Sequence, residues 1–299
     1  MATYTLGFSN LSETIPFAVL VREGLEAVAA QHGLELIVRD NAFNNERALE
    51  NARYFVEQRV DLAIIFHIDE RQGEQIRQLL FKVNPRIPII AVDIPIQLEV
   101  FFGIDNYQAG YLPGQALGQW INTHWDGQVD KLLVVTEQRA VSTIRERMRG
   151  SVEGLRSQVA LDLNHNKLDL DGGTRYEITR ERVTPVLEGW FQRGFHRIAV
   201  SCSNDDTAIG VLDAARALGH EERVAVIGQG ANLAVQEFEN NPNSHFIASA
   251  AYFPERYGER LIDLAQRMLA GERVPLSNHI VPVLVTQENY REALPNRAI

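Results

Sequence analysis

One stretch that decides the fold is Ile87-Pro88-Ile89-Ile90-Ala91-Val92-Asp93, a short apolar run that ends on a carboxylate. An earlier run of the same kind is Leu62–Phe66, and residues 4–8 and 35–39 extend the series towards the N-terminus. Short runs rich in Leu, Ile and Val that stop at polar residues are typical of strands buried on both faces. The first third of the chain therefore predicts four strands, at 4–8, 35–39, Leu62–Phe66 and Ile89–Val92.

Patterns typical of helices lie between these runs. Residues 17–32 carry apolar side chains at helical spacing, with Pro16 where a first-turn proline is tolerated and Gly33 where a C-cap is expected. Residues 44–58 repeat the pattern, with Asn44 placed to cap the helix. Apolar strands joined by helices predict an α/β fold with a doubly wound parallel sheet.

The same alternation restarts after Gly110. The predicted elements are strands at 132–135, 198–201, Val224–Ile227, 246–250 and 280–285, and helices at 144–157, 184–193, 206–218 and 254–269. Two blocks of similar size predict two similar α/β domains, with a boundary near the polar stretch 105–108.

Composition excludes several classes of protein. The 299-residue chain has 29 Lys and Arg against 39 Asp and Glu, a net charge of −10, which argues against a nucleic-acid partner. No apolar stretch approaches the roughly 20 residues that span a membrane. Cys202 is the single cysteine, so no intramolecular disulfide or Cys-based zinc site can form. No signal peptide is visible, so the protein is cytosolic or its targeting segment has been removed.

No catalytic signature stands out, since HExxH, GxxxxGK[ST] and GxSxG are absent. The run Gly228-Gln229-Gly230-Ala231-Asn232-Leu233 lacks the third glycine of a dinucleotide loop, and we interpret it as a tight turn. The segment that starts at Asp162 lacks the Gly and Glu of a calcium loop, and we expect a polar connection there. The sequence predicts no cofactor and no metal.

Polar side chains follow the predicted strands at their carboxyl ends, where ligands bind in open α/β sheets. They are Ser9, Asn10, His67, Asp69 and Asp93 in the first half, and Asn204, Asp205, Asp206 and Gln229 in the second, with Arg145 and Arg147 at the start of a helix. Each alone is also typical of a helix cap or turn, and for Asp206 we favour a cap. Together they indicate a ligand contacted by both halves.

This mixture of groups suits a neutral polyol, because sugar hydroxyls both donate and accept hydrogen bonds. Phe17 and Tyr252 offer flat apolar faces to a sugar ring, although core packing is an equal alternative for Phe17. Hydrogen bonds to charged groups contribute about 1.5 to 3 kcal/mol each, so a few of them support tight binding.

Seven segments in this order resemble the type I periplasmic binding proteins of the ribose/galactose-binding kind. They are Gly7-Phe8-Ser9 with Pro16-Phe17, 60–65, 87–93, 104–110, 145–150, 203–210 and 283–286. The resemblance covers nearly the whole chain and implies two lobes joined by three crossovers, with the ligand in the cleft between them. It implies a first lobe of 1–106 plus 252–279 and a second of 107–251 plus 280–299.

The resemblance also assigns roles to residues. Ser9 and Phe17 match first-loop contacts, Asp93 the acidic residue that binds sugar hydroxyls, and Arg147 and Asn204 the cleft arginine and asparagine. The full set of predicted ligand-binding residues is Ser9, Asn10, Phe17, His67, Asp93, Arg147, Asn204, Gln229 and Tyr252.

The chain departs from the ribose-binding pattern at four places. Ile94 stands where that pattern has Arg, Gln229-Gly230 where it has Phe-Asp, Tyr252 where it has Gln, and Ile15 where it has Asn. These changes predict a ligand other than ribose, such as a deoxy sugar, a modified pentose or a polyol.

We therefore expect a solute-binding protein that closes about a hinge on a small sugar or sugar-like ligand and delivers it to an ABC transporter permease. The resemblance implies a monomer in the periplasm or another extracytoplasmic space. The alternative is the effector domain of a lactose-repressor-type regulator without its DNA-binding headpiece. An enzyme is a third reading, and presentation of the ligand to a membrane receptor cannot be separated from transport by sequence.

Overall fold

A computed structural model describes residues 4–67, 69–137 and 142–294. The strands in these ranges are β1 (Thr5–Asn10), β2 (Glu35–Asp40), β3 (Leu62–Phe66), β4 (Ile89–Val92), β5 (Val100–Ile104), β6 (Lys131–Thr136), β7 (Lys167–Asp171), β8 (Ile198–Cys202), β9 (Val224–Ile227), β10 (Phe246–Ala251), β11 (Ser277–Ile280) and β12 (Val283–Thr286).

The α-helices in the same ranges are α1 (Pro16–Gln31), α2 (Asn45–Gln58), α3 (Glu70–Val83), α4 (Asn106–His124), α5 (Ser142–Arg156), α6 (Leu163–Asn166), α7 (Tyr176–Gln192), α8 (Asp205–Ala217), α9 (Leu233–Asn240), α10 (Tyr257–Leu269) and α11 (Tyr290–Ala293). Short 3₁₀ turns lie at Glu221–Arg223 and Pro254–Arg256.

The chain divides into two compact units. Unit 1 comprises Met1–Ile104 and Phe253–Ile280, and unit 2 comprises Asp105–Tyr252 and Val281–Ile299, so the chain passes between the units three times. The lobe boundaries that the resemblance implies differ from these unit boundaries by one or two residues. That the two lobes move as separate bodies stays a prediction.

Unit 1 contains a six-stranded sheet in the order β11-β5-β4-β3-β1-β2, with every pairing parallel. Its central strands are buried along their whole length, because helices cover a parallel sheet on both faces. One core cluster forms where α2 and α3 pack on the sheet, around Phe55, Ile65 and Ile76.

Unit 2 contains a six-stranded sheet in the order β12-β10-β9-β8-β6-β7. Its pairings are parallel except for β10 with β12, which is antiparallel. The core includes Val134, Met148 and Ala199 under α4 and α5. The predicted α/β class with parallel-dominated sheets is confirmed.

Helix α7 begins earlier than the sequence predicts. The prediction placed its start at 184, with Pro185 in the first turn, whereas the helix runs from Tyr176 through Pro185. Proline removes one backbone donor from a helix interior. Pro185 itself is exposed, and buried Val183 and Leu187 on either side of it anchor the helix to the core.

The predicted strand at 280–285 is wrong, because one strand finishes at the start of that segment and another begins within it. β11 ends at Ile280 and pairs with β5 in unit 1, whereas β12 starts at Val283 and pairs with β10 in unit 2. Pro282 stands between them and cannot donate a ladder hydrogen bond. The predicted polar connection at 162–166 contains one helical turn, α6, capped by the Asp162 side chain.

Helices α4 and α5 pack with their backbones in contact, through a seam of glycines. A Cβ at Gly110 would meet the carbonyl oxygen of Arg147, and one at Gly150 would meet the carbonyl oxygen of Tyr107. Gly114 and Gly154 continue the seam in the same way. Because glycine alone permits this approach, the seam fixes the backbone of Arg147 against the first two turns of α4.

Candidate functional site

The first polar group of unit 1 lies at the carboxyl end of β1. The Ser9 hydroxyl donates to Asn41 Oδ1 at 2.7 Å, and Asn41 Nδ2 donates to the Phe66 carbonyl at 3.0 Å. The Asn51 amide also donates to Asn41 Oδ1, at 2.9 Å. The structure thus gives Ser9 an internal partner that ties β1 to the end of β3.

Asn10, the last residue of β1, is fully buried. Its Nδ2 donates to Glu13 Oε1 at 2.6 Å, which holds the amide in place. Its Oδ1 has no hydrogen-bond partner among the described residues. Since a buried acceptor without a partner costs free energy, this oxygen is suited to a donor from a ligand.

His67 follows β3 and is also fully buried. Nδ1 lies 3.4 Å from the Ile65 carbonyl, whereas Nε2 has no partner in the described part of the chain. Burial lowers the pKa of His67 to about 4, because the apolar surroundings disfavour the imidazolium. The ring is therefore neutral near pH 7 and offers one polar nitrogen.

Asp93 lies just past β4 in a left-handed backbone conformation, with φ of 59°, which Asp tolerates better than most residues. Its backbone N–H donates to the Phe102 carbonyl at 2.9 Å, and its Oδ1 accepts from the Tyr257 hydroxyl at 2.9 Å. Tyr257 itself is fully buried. These contacts fix the carboxylate at the carboxyl end of the sheet.

Phe17, in the first turn of α1, is half-buried and packs on Tyr257, the donor to this carboxylate. Its ring meets that of Tyr257 edge to face at a centroid distance of 5.7 Å and that of Phe66 at 6.4 Å. Unit 1 thus brings Asp93 and Phe17 together around Tyr257. Asp69, another residue of the predicted edge, caps α3 by accepting from the Gln72 N–H at 2.7 Å.

In unit 2, Arg147 occupies the second turn of α5. Its Nε and Nη2 donate to Asn106 Oδ1 at 3.0 and 2.7 Å, and Nη1 donates to the Ser203 carbonyl at 3.1 Å. Its guanidinium carbon lies 5.1 Å from the centre of the Tyr252 ring. The oxygens that accept these hydrogen bonds, an amide oxygen and a backbone carbonyl oxygen, are both neutral.

Tyr252 and Gln229 form a second buried pair in unit 2. The Tyr252 hydroxyl donates to Gln229 Oε1 at 2.6 Å, and both residues are at least 95 % buried, with exposed fractions of 5 % and 2 %. Gln229 Nε2 has no partner in the ranges that the structure describes. Gln229 therefore presents an amide donor next to Tyr252, the residue whose ring the Arg147 guanidinium faces.

The group at 204–206 corrects the prediction for Asp206. Asn204, not Asp206, caps α8: its Oδ1 accepts from the Thr207 N–H at 2.9 Å, and its Nδ2 donates to the Thr174 carbonyl at 3.0 Å. Asp205 is buried and accepts from the Ser249 hydroxyl at 2.7 Å and from the N–H groups of Leu233 and Ala234. Asp205 therefore caps α9.

Several polar residues at the carboxyl ends of the two sheets, or in contact with residues there, were not predicted from the sequence. Thr136 ends β6 and Ser203 follows β8, and the structure leaves the hydroxyl oxygen of each buried without a partner among the described residues. Their position at strand ends is the signal that could have found them. Asn106 and Tyr257 act through tertiary contacts that no local pattern reveals.

Unpartnered buried polar atoms concentrate at the carboxyl ends of strands. Asn10 Oδ1 and His67 Nε2 belong to unit 1, and Thr136 Oγ1, Ser203 Oγ and Gln229 Nε2 belong to unit 2. In the described ranges one further such atom, Glu74 Oε2, lies elsewhere. Each sheet thus carries a set of polar atoms at the edge where α/β proteins bind ligands.

Among the described residues, no three His, Cys, Asp or Glu side chains cluster as a metal site requires. No helix within those ranges combines the length and apolar character needed to cross a bilayer.

Comparison with known proteins supports the predicted family. The family model described as "Periplasmic binding protein domain" matches residues 6–273. The ribose import binding protein of Bacillus subtilis (strain 168) is 22% identical over 274 residues, which cover 91% of this chain and 83% of that protein.

Solved structures share the fold. A periplasmic solute binding protein of an ABC transporter from Actinobacillus succinogenes 130z, with bound D-allose, has a TM-score of 0.79 at 18% identity and covers 97% of this chain and 100% of its own. The binding component of the arabinose ABC transporter from Shewanella sp. ANA-3, bound to L-arabinofuranose, has a TM-score of 0.78 at 19% identity, with coverages of 98% and 95%. With the family model spanning most of the sequence, this chain belongs to the periplasmic binding protein domain family.

Proposed function

We propose that this protein is a solute-binding protein that captures a neutral sugar or polyol and delivers it to an ABC importer. The relatives support the class of function, since they are a ribose import protein and sugar-bound components of ABC transporters. Membership of the periplasmic family supports a periplasmic location. Monomeric state and the identity of the permease are parts of the same proposal.

The observation that carries the proposal is the set of unpartnered buried atoms at the carboxyl ends of both sheets. It includes an acceptor, Asn10 Oδ1, a donor, Gln229 Nε2, and two hydroxyls that can do either, those of Thr136 and Ser203. A ligand that presents several hydroxyl groups can satisfy this mixture. A strongly charged ligand would leave part of it unpaired.

In this proposal each unit contributes one charged group. The Asp93 carboxylate of unit 1 accepts from hydroxyls, and the guanidinium of Arg147 in unit 2 donates to hydroxyl oxygens. Phe17 and Tyr252 supply apolar faces for the ring carbons. Ser9 and Asn204, which already have internal partners, support the positions of these groups and can add one bond each.

Closure of the two units on the ligand follows from this division of groups. A ligand shifts the equilibrium towards a closed state only if some contacts form in that state alone. A ligand that must bond both Asp93 and Arg147 meets this condition. The three passages of the chain between the units supply the hinge segments.

The regulator alternative shares the fold but lacks support from the comparisons, whose named relatives are import and transport proteins. A catalytic role has no support from the described side chains, which form a binding set of hydroxyl, amide, carboxylate and guanidinium groups. Ile94, Gln229-Gly230 and Tyr252 continue to favour a ligand that is less polar than ribose or differs from it in shape.

The test is titration calorimetry with D-ribose, D-allose, L-arabinose, myo-inositol and glycerol. Asp93→Asn keeps the left-handed backbone and an oxygen for Tyr257 but removes the negative charge, so we expect at least a tenfold loss of affinity for the tightest ligand. Asp61→Asn is the control, because Asp61 accepts from the Thr5 N–H at the amino end of the same sheet. Equal affinity of Asp93→Asn and the wild type would refute the placement of the site, and no binding by the wild type would refute the ligand class.

A further inference from the structure

Arg147 is bound to residues that flank two of the three passages between the units. Asn106, which accepts from both Nε and Nη2, is the second residue after the passage at Ile104/Asp105. Tyr252, whose ring the guanidinium faces at 5.1 Å, is the last residue before the passage at Tyr252/Phe253. The Arg147 side chain therefore contacts residues near both ends of the segment Asp105–Tyr252, where the chain enters unit 2 and where it leaves it.

The acceptors that hold this guanidinium are uncharged. They are an amide oxygen of Asn106 and the backbone carbonyl of Ser203. Hydrogen bonds with one charged partner are stronger than neutral ones, so they orient the side chain without neutralising it. The positive charge stays available to a ligand in a fixed direction.

The backbone of Arg147 is fixed as firmly as its side chain. Gly110, one turn after Asn106 on α4, lies directly against the Arg147 carbonyl, and Gly150 lies against the carbonyl of Tyr107. Such packing leaves little room for α5 to shift against the start of α4. A displacement of Arg147 is therefore transmitted to the segment that begins at Asp105.

We propose that Asn106 and Tyr252 are positioning residues that hold Arg147 for the ligand and couple its ligand contact to the two passage segments. This inference rests on the proposed function for the identity of the ligand. Asn106 contributes to affinity through Arg147 and makes the passage at 104/105 more rigid. Tyr252 in turn makes the passage at 252/253 more rigid.

The first arm of the test is a double-mutant cycle measured by calorimetry with the tightest sugar of the panel. Asn106→Ala removes the shared acceptor, and we expect about a tenfold loss of affinity. In the Arg147→Met background the same substitution is expected to change affinity less than about twofold, because the side chain that it positions is gone. Asn106→Asp restores an acceptor but also pairs a negative charge with the guanidinium, so we expect it to recover only part of the loss.

Asn122→Ala is the matched control, since Asn122 lies on the same helix and its amide donates to the Gln158 carbonyl at 3.1 Å, at the other end of the α4–α5 seam. It is expected to leave affinity unchanged. Additive losses from Asn106→Ala and Arg147→Met would overturn the positioning role. So would an Asn122→Ala variant as weak as Asn106→Ala.

The second arm needs no ligand and separates this inference from the proposed function. Hydrogen exchange of the free protein is measured over peptides that contain residues 103–110 and 249–256. Arg147→Met is expected to speed exchange in both peptides, and Asn106→Ala in the first, with no change in Asn122→Ala. Unchanged exchange in Arg147→Met would overturn the coupling even if sugar binding is established, and faster exchange would support it even if no sugar of the panel binds.

Discussion

The carboxyl ends of the two sheets carry opposite charges on different supports. In unit 1 the carboxylate of Asp93 accepts from the Tyr257 hydroxyl, whose ring packs on Phe17. In unit 2 the guanidinium of Arg147 is held by neutral oxygens on a helix locked by glycines. The difference teaches that the cation depends on close packing of two helix backbones, which the anion does not, so the two should respond differently to substitution.

The largest effect is expected from the glycine seam of unit 2. A methyl group at Gly110 would overlap the Arg147 carbonyl, and neither backbone can move aside within a packed helix pair. We expect Gly110→Ala to lower the free energy of unfolding by about 3 kcal/mol or more. Urea unfolding measures the loss, and calorimetry tests whether affinity falls with it as Arg147 is displaced.

Two other glycines make the comparison sharper. Gly24→Ala in α1 of unit 1 would meet the Glu255 carbonyl, so it should cost similar stability without touching Arg147. Gly189→Ala in α7 meets only a flexible arginine end at 3.8 Å and should raise stability by about 0.5 to 1 kcal/mol. If Gly110→Ala unfolded like Gly189→Ala, the seam would have no role in placing the cation.

Unit 1 should lose stability in mild acid because of His67. Burial lowers the pKa of His67 to about 4 from 6.5, so between these values the unfolded chain binds a proton that the folded unit does not. Stability therefore falls as pH drops through this window, by about 1.4 kcal/mol per pKa unit and about 3 kcal/mol in all. Hydrogen-exchange protection of β3 at a series of pH values measures it.

Unit 2 contains a buried carboxyl group whose effect on stability has the opposite pH dependence. Burial raises the pKa of Asp205 to about 6 from 3.8, so there the folded unit holds the extra proton and stability rises as pH falls through that window. Protection of β8 and β9 should thus change in the opposite direction to that of β3. His67→Gln should flatten the pH dependence of protection in β3 and leave that of β8 and β9 unchanged. His124→Gln, at an exposed position, should alter neither. Trends in the same direction in both units would contradict this account.

Much of the fold could be predicted from the sequence because the strands are buried on both faces. The bounds of β3, β4 and β9 follow from their apolar runs, and the Asn44 cap of α2 follows from the pattern around it. The start of α7 could not, since local chemistry places Pro185 at a helix start while tertiary packing of its neighbours carries the helix through it.

The ends of strands also indicated candidate site residues, but not the roles of their neighbours. Asp93 and Arg147 stand out from their position along the chain, whereas Tyr257 contacts Asp93 from a point 164 residues later. Asn204 and Asp206 show the limit of local reasoning, since two residues of similar capping propensity, two positions apart, took different roles according to which side chain faced the Thr207 N–H.

The smallest effect is expected at the tyrosine hydroxyl that donates to the Asp93 carboxylate of unit 1. Tyr257→Phe removes the donor to Asp93 Oδ1 but keeps the ring that packs on Phe17 and Phe102. We expect affinity for the tightest sugar to fall about threefold, because the carboxylate itself is retained and loses only a donor that orients it. Tyr54→Phe is the control, since Arg39 contacts the ring of Tyr54 at 4.7 Å and the ring is retained. A loss as large as that of Asp93→Asn would mean that the tyrosine hydroxyl, rather than the carboxylate, dominates the contact with the ligand in unit 1.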